Sequence, residues 1–246
     1  MSNSCVITNE EGWYKKALDT DLARPKFAIM NPEITYTLPD YQTQCGCADI
    51  MMHTMERYFV LEDTMEITDK IAQDVMKNVM KYAKILKKDP ENYEARAEIM
   101  WCGSLSHNGL TGCGTCGGDW ATHLIEHELG GMFDVAHGAG LAAVWGIWAR
   151  YVMDEKPERF AQFAVDVMGV EESDDVKSTA LKGIEAVEEF YRMIEMPTNM
   201  KELGINPTDE QIKDMAMKAT NHDTQQLGAF KKLSAKDLVE IYKTAK

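Results

Sequence analysis

Helical periodicity extends from Pro39 to the C-terminus and restricts the fold more than any other feature of the chain. In the segment Thr68–Lys87, apolar residues recur every three or four positions, and the pattern stops before Asp89-Pro90. Capping residues, prolines and glycines mark further helices, which are predicted at 39–58, 92–106, 138–153, 157–169 and 176–195. We therefore expect a mainly α-helical fold, a bundle of about eight helices.

The N-terminal residues follow a different pattern. Ser4–Thr8 and Lys26–Met30 are short apolar runs typical of β-strands, and a polar, charged stretch separates them. Two strands alone are marginally stable in water, so this piece resembles the edge of a sheet whose other strands are absent from the chain. The sequence thus predicts remnant strands within residues 1–33 and a helical domain over residues 34–246.

Charge and hydropathy restrict the partners of this 246-residue chain. It carries 26 Lys and Arg against 40 Asp and Glu, a net charge of −14. Nucleic acid and anionic membranes require basic surface, so neither is expected as a partner. No apolar run approaches the ~20 residues of a membrane span, and Met1–Glu11 lacks the apolar segment of a signal peptide. We predict a cytoplasmic protein.

The six cysteines are accordingly expected to be reduced thiols. Cys45/Cys47 and Cys113/Cys116 could together form a four-thiolate zinc site, but two thiols about 200° apart on one helix cannot easily share a metal. An ordinary loop of small residues is preferred for the second pair. The same loop, Gly112–Gly117, matches G-x-G-x-x-G, but a helix precedes it where a nucleotide-binding loop would follow a strand.

Asp49 and His53 are four residues apart on a predicted helix and therefore project from one face, one turn apart. A solvated pair is the common explanation for this spacing. Their neighbours Ile50–Met52 are apolar, however, which predicts burial, and buried ionisable groups need partners.

Three further histidines lie within fifteen residues. His123 and His127 repeat the four-residue spacing on a helix that Asp119 is predicted to cap, and His137 follows a Gly130-Gly131 break to open another helix. A chance surface cluster is the alternative. One carboxylate and three imidazoles would suit Zn²⁺ or Fe²⁺ better than Mg²⁺ or Ca²⁺. The other two histidines, His107 and His222, are interpreted as solvated.

Four blocks of the sequence resemble the iron-containing alcohol dehydrogenases, in particular their butanol dehydrogenase branch. They are Ala28-Ile-Met-Asn-Pro-Glu, Tyr36-Thr-Leu-Pro, Gly46-Cys-Ala-Asp-Ile-Met-Met-His-Thr-Met-Glu56 and Asp119-Trp-Ala-Thr-His-Leu-Ile-Glu-His-Glu-Leu-Gly-Gly-Met-Phe-Asp-Val-Ala-His-Gly-Ala-Gly140. The resemblance runs from Ser4 to the predicted helix Leu238–Ala245 and covers essentially the whole chain.

The resemblance implies a dehydroquinate synthase-like helical domain, from which most of the family's N-terminal nucleotide-binding domain is missing. It implies that Asp49, His53, His123 and His137 bind the metal, which is usually Fe²⁺ and in some members Zn²⁺. His127 would lie near the nicotinamide and assist proton transfer.

By the same resemblance, the expected function is that of an NAD(P)H-dependent alcohol dehydrogenase or aldehyde reductase acting on a small alcohol or aldehyde. The chain alone would be weak or inactive, since most of the cofactor site would be lacking. The alternative is a non-enzymatic truncated protein, a helical metal-binding or interaction module. In either case the N-terminal hairpin, with its open strand edges, could join two copies of the chain.

Overall fold

Nine α-helices and one β-hairpin form the described part of the chain, which in this computed structural model comprises residues 3–62 and 66–246. The elements are β1 (Ser4–Asn9), β2 (Tyr14–Asp19), α1 (Asp40–Tyr58), α2 (Glu66–Leu86), α3 (Tyr93–His107), α4 (Ala121–Phe133), α5 (His137–Val152), α6 (Pro157–Asp166), α7 (Val176–Met193), α8 (Asp209–Ala219) and α9 (Ala235–Ala245). The predicted mainly helical fold with an N-terminal hairpin is confirmed. Across these residues, every helix is too short or too polar to cross a membrane.

The second strand of the hairpin lies earlier than predicted. Antiparallel pairing joins β1 to β2, so the prediction of a strand at Lys26–Met30 was wrong. Gly12 adopts φ +85° in the turn, a left-handed conformation that glycine accepts without strain. The turn follows β1 directly. The segment Tyr14–Asp19, which lies nearer in sequence than Lys26–Met30, therefore pairs with β1.

Helix α5 runs through the centre of the helical domain, as its apolar sequence predicts, and packs against α1, α4, α7 and α9. Its Trp145 and Trp148 are fully buried. Both indoles lie against Phe59, which stacks on Phe160 with ring centroids 4.3 Å apart. This aromatic cluster anchors the C-terminal part of α5, while the N-terminal end of α5 carries His137.

Helix α4 continues through Gly130-Gly131 to Phe133, so the predicted break at these glycines was wrong. The chain leaves the helix at Asp134, which has φ +52°. The glycines instead admit the hairpin, because a Cβ at Gly131 would lie 2.7 Å from the carbonyl oxygen of Trp13. The glycine pair therefore brings β2 against α4.

The cysteines form no four-thiolate cluster within the described chain. All six are free thiols; Cys45 and Cys47 are buried in α1, whereas Cys113 and Cys116 are exposed in the loop between α3 and α4. That loop follows a helix, as predicted, and so lacks the strand that a nucleotide-binding loop requires.

Candidate metal centre

Three helices bring the four predicted ligands to one point. Asp49 and His53 lie on α1, His123 on α4, and His137 is the first residue of α5. Asp49 Oδ1 is 3.4 Å from His137 Nε2, 3.7 Å from His53 Nε2 and 3.8 Å from His123 Nε2. One carboxylate oxygen thus faces three imidazole nitrogens.

Two atoms at this point lack the partners that buried polar atoms normally have. Asp49 Oδ1 and His123 Nε2 are buried and form no hydrogen bond within the described chain. More than 90% of buried polar groups in proteins are hydrogen-bonded, so this pair requires an explanation. A cation with nitrogen and oxygen ligands supplies one, and the donor set suits Fe²⁺ or Zn²⁺. The residues therefore fit the metal that the sequence predicts.

A buried carboxylate from α1 fixes the orientation of His123. Glu56 Oε1 lies 2.9 Å from His123 Nδ1, and the same carboxylate accepts the backbone N–H groups of Trp120 and His123 at 2.8 and 3.0 Å. Glu56 thereby accepts N–H groups at the start of α4 that have no partner within the helix. Asp119, predicted to cap this helix, lies one residue before the N-cap Trp120 and accepts the N–H of Ala121. Glu56 therefore directs His123 Nε2 towards Asp49.

A second buried carboxylate holds His137. Glu126 on α4 contacts His137 Nδ1, and its other partner is Lys15 of β2, with Lys15 Nζ 3.2 Å from Glu126 Oε2. Gly140 leaves room for this carboxylate, since a Cβ there would lie 2.8 Å from Glu126 Cγ. Carboxylates behind metal-bound histidines commonly fix ring orientation in this way. The hairpin is thus linked to the candidate ligand His137 through one ion pair.

His127 lies beside the four candidate ligands and outside their cluster around Asp49. Its side chain is buried, and its ring centroid is 5.7 Å from that of His137. His127 also lines a cavity of about 400 Å³, whose walls include Trp120 and Leu124 from the helical domain and Val6 from the hairpin. A small molecule in this cavity would contact His127 and the candidate ligands together.

Burial and charge set opposite protonation states among these groups. Burial lowers the pKa of His53 to about 2 and that of His127 to about 3, the latter with help from His137 and Lys15. Burial also acts to lower the pKa of His123, but the neighbouring carboxylates of Asp49 and Glu56 outweigh it and raise the pKa to about 9. Burial disfavours the charged form of Asp49 as well, yet its imidazole partners hold the pKa well below the usual value.

His107 also belongs to this site, and its interpretation as a solvated residue was wrong. Its Nε2 lies 3.3 Å from Asp49 Oδ2, and its ring centroid lies 3.7 Å from that of His53. Its sequence spacing carries no signal of this contact, which depends on how α3 packs against α1. Glu56 could have been predicted as a site residue from the sequence, because it follows Asp49 by seven residues on the same helix face. His222 is exposed, in agreement with its predicted position in a polar loop.

Comparison of the chain with known proteins identifies its family. A family model described as Fe-containing alcohol dehydrogenase family, C-terminal, matches residues 43–246. The chain belongs to the Fe-containing alcohol dehydrogenase family. This membership confirms the resemblance found in the sequence.

Relatives in the Fe-containing alcohol dehydrogenase family are longer than this chain. NADH-dependent butanol dehydrogenase A of Clostridium acetobutylicum is 34% identical over 99% of the chain and 62% of its own length. Probable NADH-dependent butanol dehydrogenase 1 of Bacillus subtilis is 35% identical over 100% of the chain and 62% of its own length. The crystal structure of NADH-dependent butanol dehydrogenase A from Thermotoga maritima superimposes with a TM-score of 0.92 at 34% identity, covering all of this chain and 62% of that one. The chain therefore spans about 62% of the length of these relatives.

Proposed function

We propose that this chain is the metal-binding part of an NAD(P)H-dependent alcohol dehydrogenase or aldehyde reductase. Asp49, His53, His123 and His137 are the proposed ligands of Fe²⁺ or Zn²⁺. The observation that carries the proposal is the convergence of three imidazole nitrogens on Asp49 Oδ1, at 3.4 to 3.8 Å. Membership of the Fe-containing alcohol dehydrogenase family supports it.

Such a metal, when bound, supplies a Lewis acid for the substrate oxygen, and a nicotinamide cofactor supplies or accepts hydride. The side chains of this protein orient the proposed metal ligands. Glu56 and Glu126 accept hydrogen bonds from the Nδ1 atoms of His123 and His137, which leaves both Nε2 atoms directed at Asp49. These buried carboxylates fix the ring planes before any substrate binds.

The cavity beside the ligands provides the proposed substrate site. Its volume of about 400 Å³ admits a small alcohol or aldehyde, and Trp120, Leu124 and Val6 give it an apolar wall. His127 lines the same cavity. We assign proton transfer to the His127 ring and place it next to the nicotinamide, because it is the buried histidine of this cavity that lies outside the Asp49 cluster.

The N-terminal segment supports a division into two parts. Ile7, Leu18, Phe27 and Ile29 are 61–85% exposed, and clustered apolar side chains at a surface usually pack against another polypeptide. We propose that residues 1–33 belong structurally to the nucleotide-binding domain that the sequence resemblance implies, and that residues 34–246 are the catalytic helical domain. Activity of this chain by itself is then weak or absent.

The same exposed segment favours a second candidate, a non-enzymatic interaction module. An open hairpin edge with apolar side chains can pair with a second copy of the chain or with another protein. Light scattering tests this possibility directly. A monomer at high concentration would contradict pairing through the hairpin, and a dimer that Leu18→Lys dissociates would support it.

A chimaera tests the enzymatic proposal. The N-terminal remainder of the Bacillus subtilis relative, which this chain does not match, is fused ahead of it, and butanal-dependent NADH oxidation is measured after loading with Fe²⁺ or Zn²⁺. We expect activity that Asp49→Asn abolishes. A folded, metal-loaded chimaera that neither binds NADH nor reduces butanal would favour the interaction module.

A further inference from the structure

The histidine that ends α3 contacts two proposed ligands without joining their cluster. The Nε2 atoms of the three proposed histidine ligands all approach Asp49 Oδ1, at 3.4 to 3.8 Å. His107 Nε2 instead approaches Asp49 Oδ2, at 3.3 Å. His107 therefore contacts a different oxygen of Asp49 from the proposed ligands.

The two oxygens of Asp49 have different surroundings. Oδ2 has His107 as its partner, whereas Oδ1 is buried and forms no hydrogen bond within the described chain. A carboxylate without an outer partner can rotate about its terminal torsion, which has a broad energy minimum. The contact with His107 fixes this rotation and leaves Oδ1 directed at the metal position.

The far side of the His107 ring is anchored to its own helix. Nδ1 lies 2.7 Å from Ser106 Oγ and 3.0 Å from the carbonyl oxygen of Gly103. The ring face packs on His53 with centroids 3.7 Å apart. An ionised carboxylate only accepts hydrogen bonds, so Nε2 is the donor in the contact between His107 and Asp49 Oδ2.

We propose that His107 is a positioning residue of the metal site, whose Nε2–H donates to Asp49 Oδ2 and so selects Oδ1 as the ligand atom. The proposal rests on the proposed function, since it assumes that Asp49 binds a metal. It assigns to α3 a part in a site whose ligands all come from other helices. Outer partners of this kind typically change metal affinity 10- to 100-fold.

Two substitutions separate the hydrogen bond from the ring. His107→Phe keeps an aromatic ring over His53 but removes the donor, whereas His107→Gln keeps an N–H donor near the position of Nε2. His222→Gln, at an exposed histidine, is the matched control for loss of one imidazole. Zn²⁺ affinity is measured by competition with a chromophoric chelator, the visible spectrum of the Co²⁺ form reports ligand geometry, and circular dichroism confirms folding.

We expect His107→Phe to bind Zn²⁺ about 10- to 100-fold more weakly than the unsubstituted chain and to change the Co²⁺ spectrum. We expect His107→Gln and His222→Gln to stay within about 3-fold of it. Equal affinity of His107→Phe and the unsubstituted chain would overturn the proposal, and so would an equal loss in His107→Gln. Failure of the unsubstituted chain to bind Zn²⁺ would overturn the metal site itself.

Discussion

Gly138 allows the backbones of α1 and α5 to approach each other beside the metal site. A Cβ at this position would lie 2.0 Å from the carbonyl oxygen of Cys45 and 2.7 Å from its carbonyl carbon. Ordinary van der Waals contact begins at 3.4 Å. The change Gly138→Ala therefore requires the two helices to separate by more than about 1 Å, because neither backbone can rotate away as a side chain would.

The energetic cost follows from this clash. Overpacking of a core costs about 1–3 kcal/mol, and more where backbone must shift. Alanine regains about 0.5–1 kcal/mol of helix propensity. With a clash cost at the upper end of the range, about 3 kcal/mol, we expect the free energy of unfolding to fall by about 2–2.5 kcal/mol. Gly138 adjoins His137, and Cys45 lies one turn before Asp49, so the shift also separates two proposed ligands.

Urea denaturation of the metal-free chain measures this loss, and chelator competition measures the accompanying fall in Zn²⁺ affinity. Gly46→Ala is the matched control, since Gly46 lies in α1 with nothing within 4 Å of a Cβ added there. It should stabilise the protein by about 0.5–1 kcal/mol. A Gly138→Ala protein as stable as the unsubstituted chain would refute the close approach of α1 and α5.

Three further changes test the surrounding structure. Burial raises the pKa of Glu128 to about 7. The folded chain therefore retains a proton that the unfolded chain releases near pH 4.5. The free energy of unfolding should fall by up to about 3 kcal/mol as the pH rises from 4.5 to 7. Glu128→Gln should flatten this dependence in urea titrations at pH 5 and pH 8, and an unchanged slope would contradict it. Glu56→Ala leaves the N–H groups of Trp120 and His123 without their acceptor and should destabilise the chain by about 2–4 kcal/mol; a loss below about 1 kcal/mol would speak against this role. Lys15→Met removes the ion pair with Glu126, so amide hydrogen exchange in β1 and β2 should accelerate while exchange in α7 stays unchanged. Hairpin exchange rates equal to those of the unsubstituted chain would argue against this link between the hairpin and α4.

Local signals predicted the helices well because caps and periodicity act over a few residues. Asn92 accepts the N–H of Ala95 at the start of α3. Thr208 with Gln211 and Ser234 with Asp237 each form a capping box, the pattern that their sequence spacing indicates. These interactions involve residues three positions apart in sequence, so they can be recognised without knowledge of the tertiary structure.

Features that depend on tertiary packing were not predictable in the same way. Gly130-Gly131 was interpreted as a helix break, although these residues admit the hairpin to a continuous helix. Lys26–Met30 has a strand-like sequence, but a tighter turn pairs β1 with its nearer neighbour. His107 reaches Asp49 only because the C-terminus of α3 packs beside α1. For Gly130-Gly131 and His107 the deciding contact lies far away in the sequence, whereas the partner of β1 is the nearer of its two possible strands.

The metal content of the purified chain tests the central claim most directly. After reconstitution with Fe²⁺ or Zn²⁺ under reducing conditions and removal of free ions, elemental analysis should find about one metal per chain. Asp49→Asn, which keeps the shape of the side chain but removes its charge, should fold normally and lose most of the metal. Fewer than about 0.2 metal per chain, or equal metal in the two proteins, would contradict the assignment of Asp49, His53, His123 and His137 as the ligands.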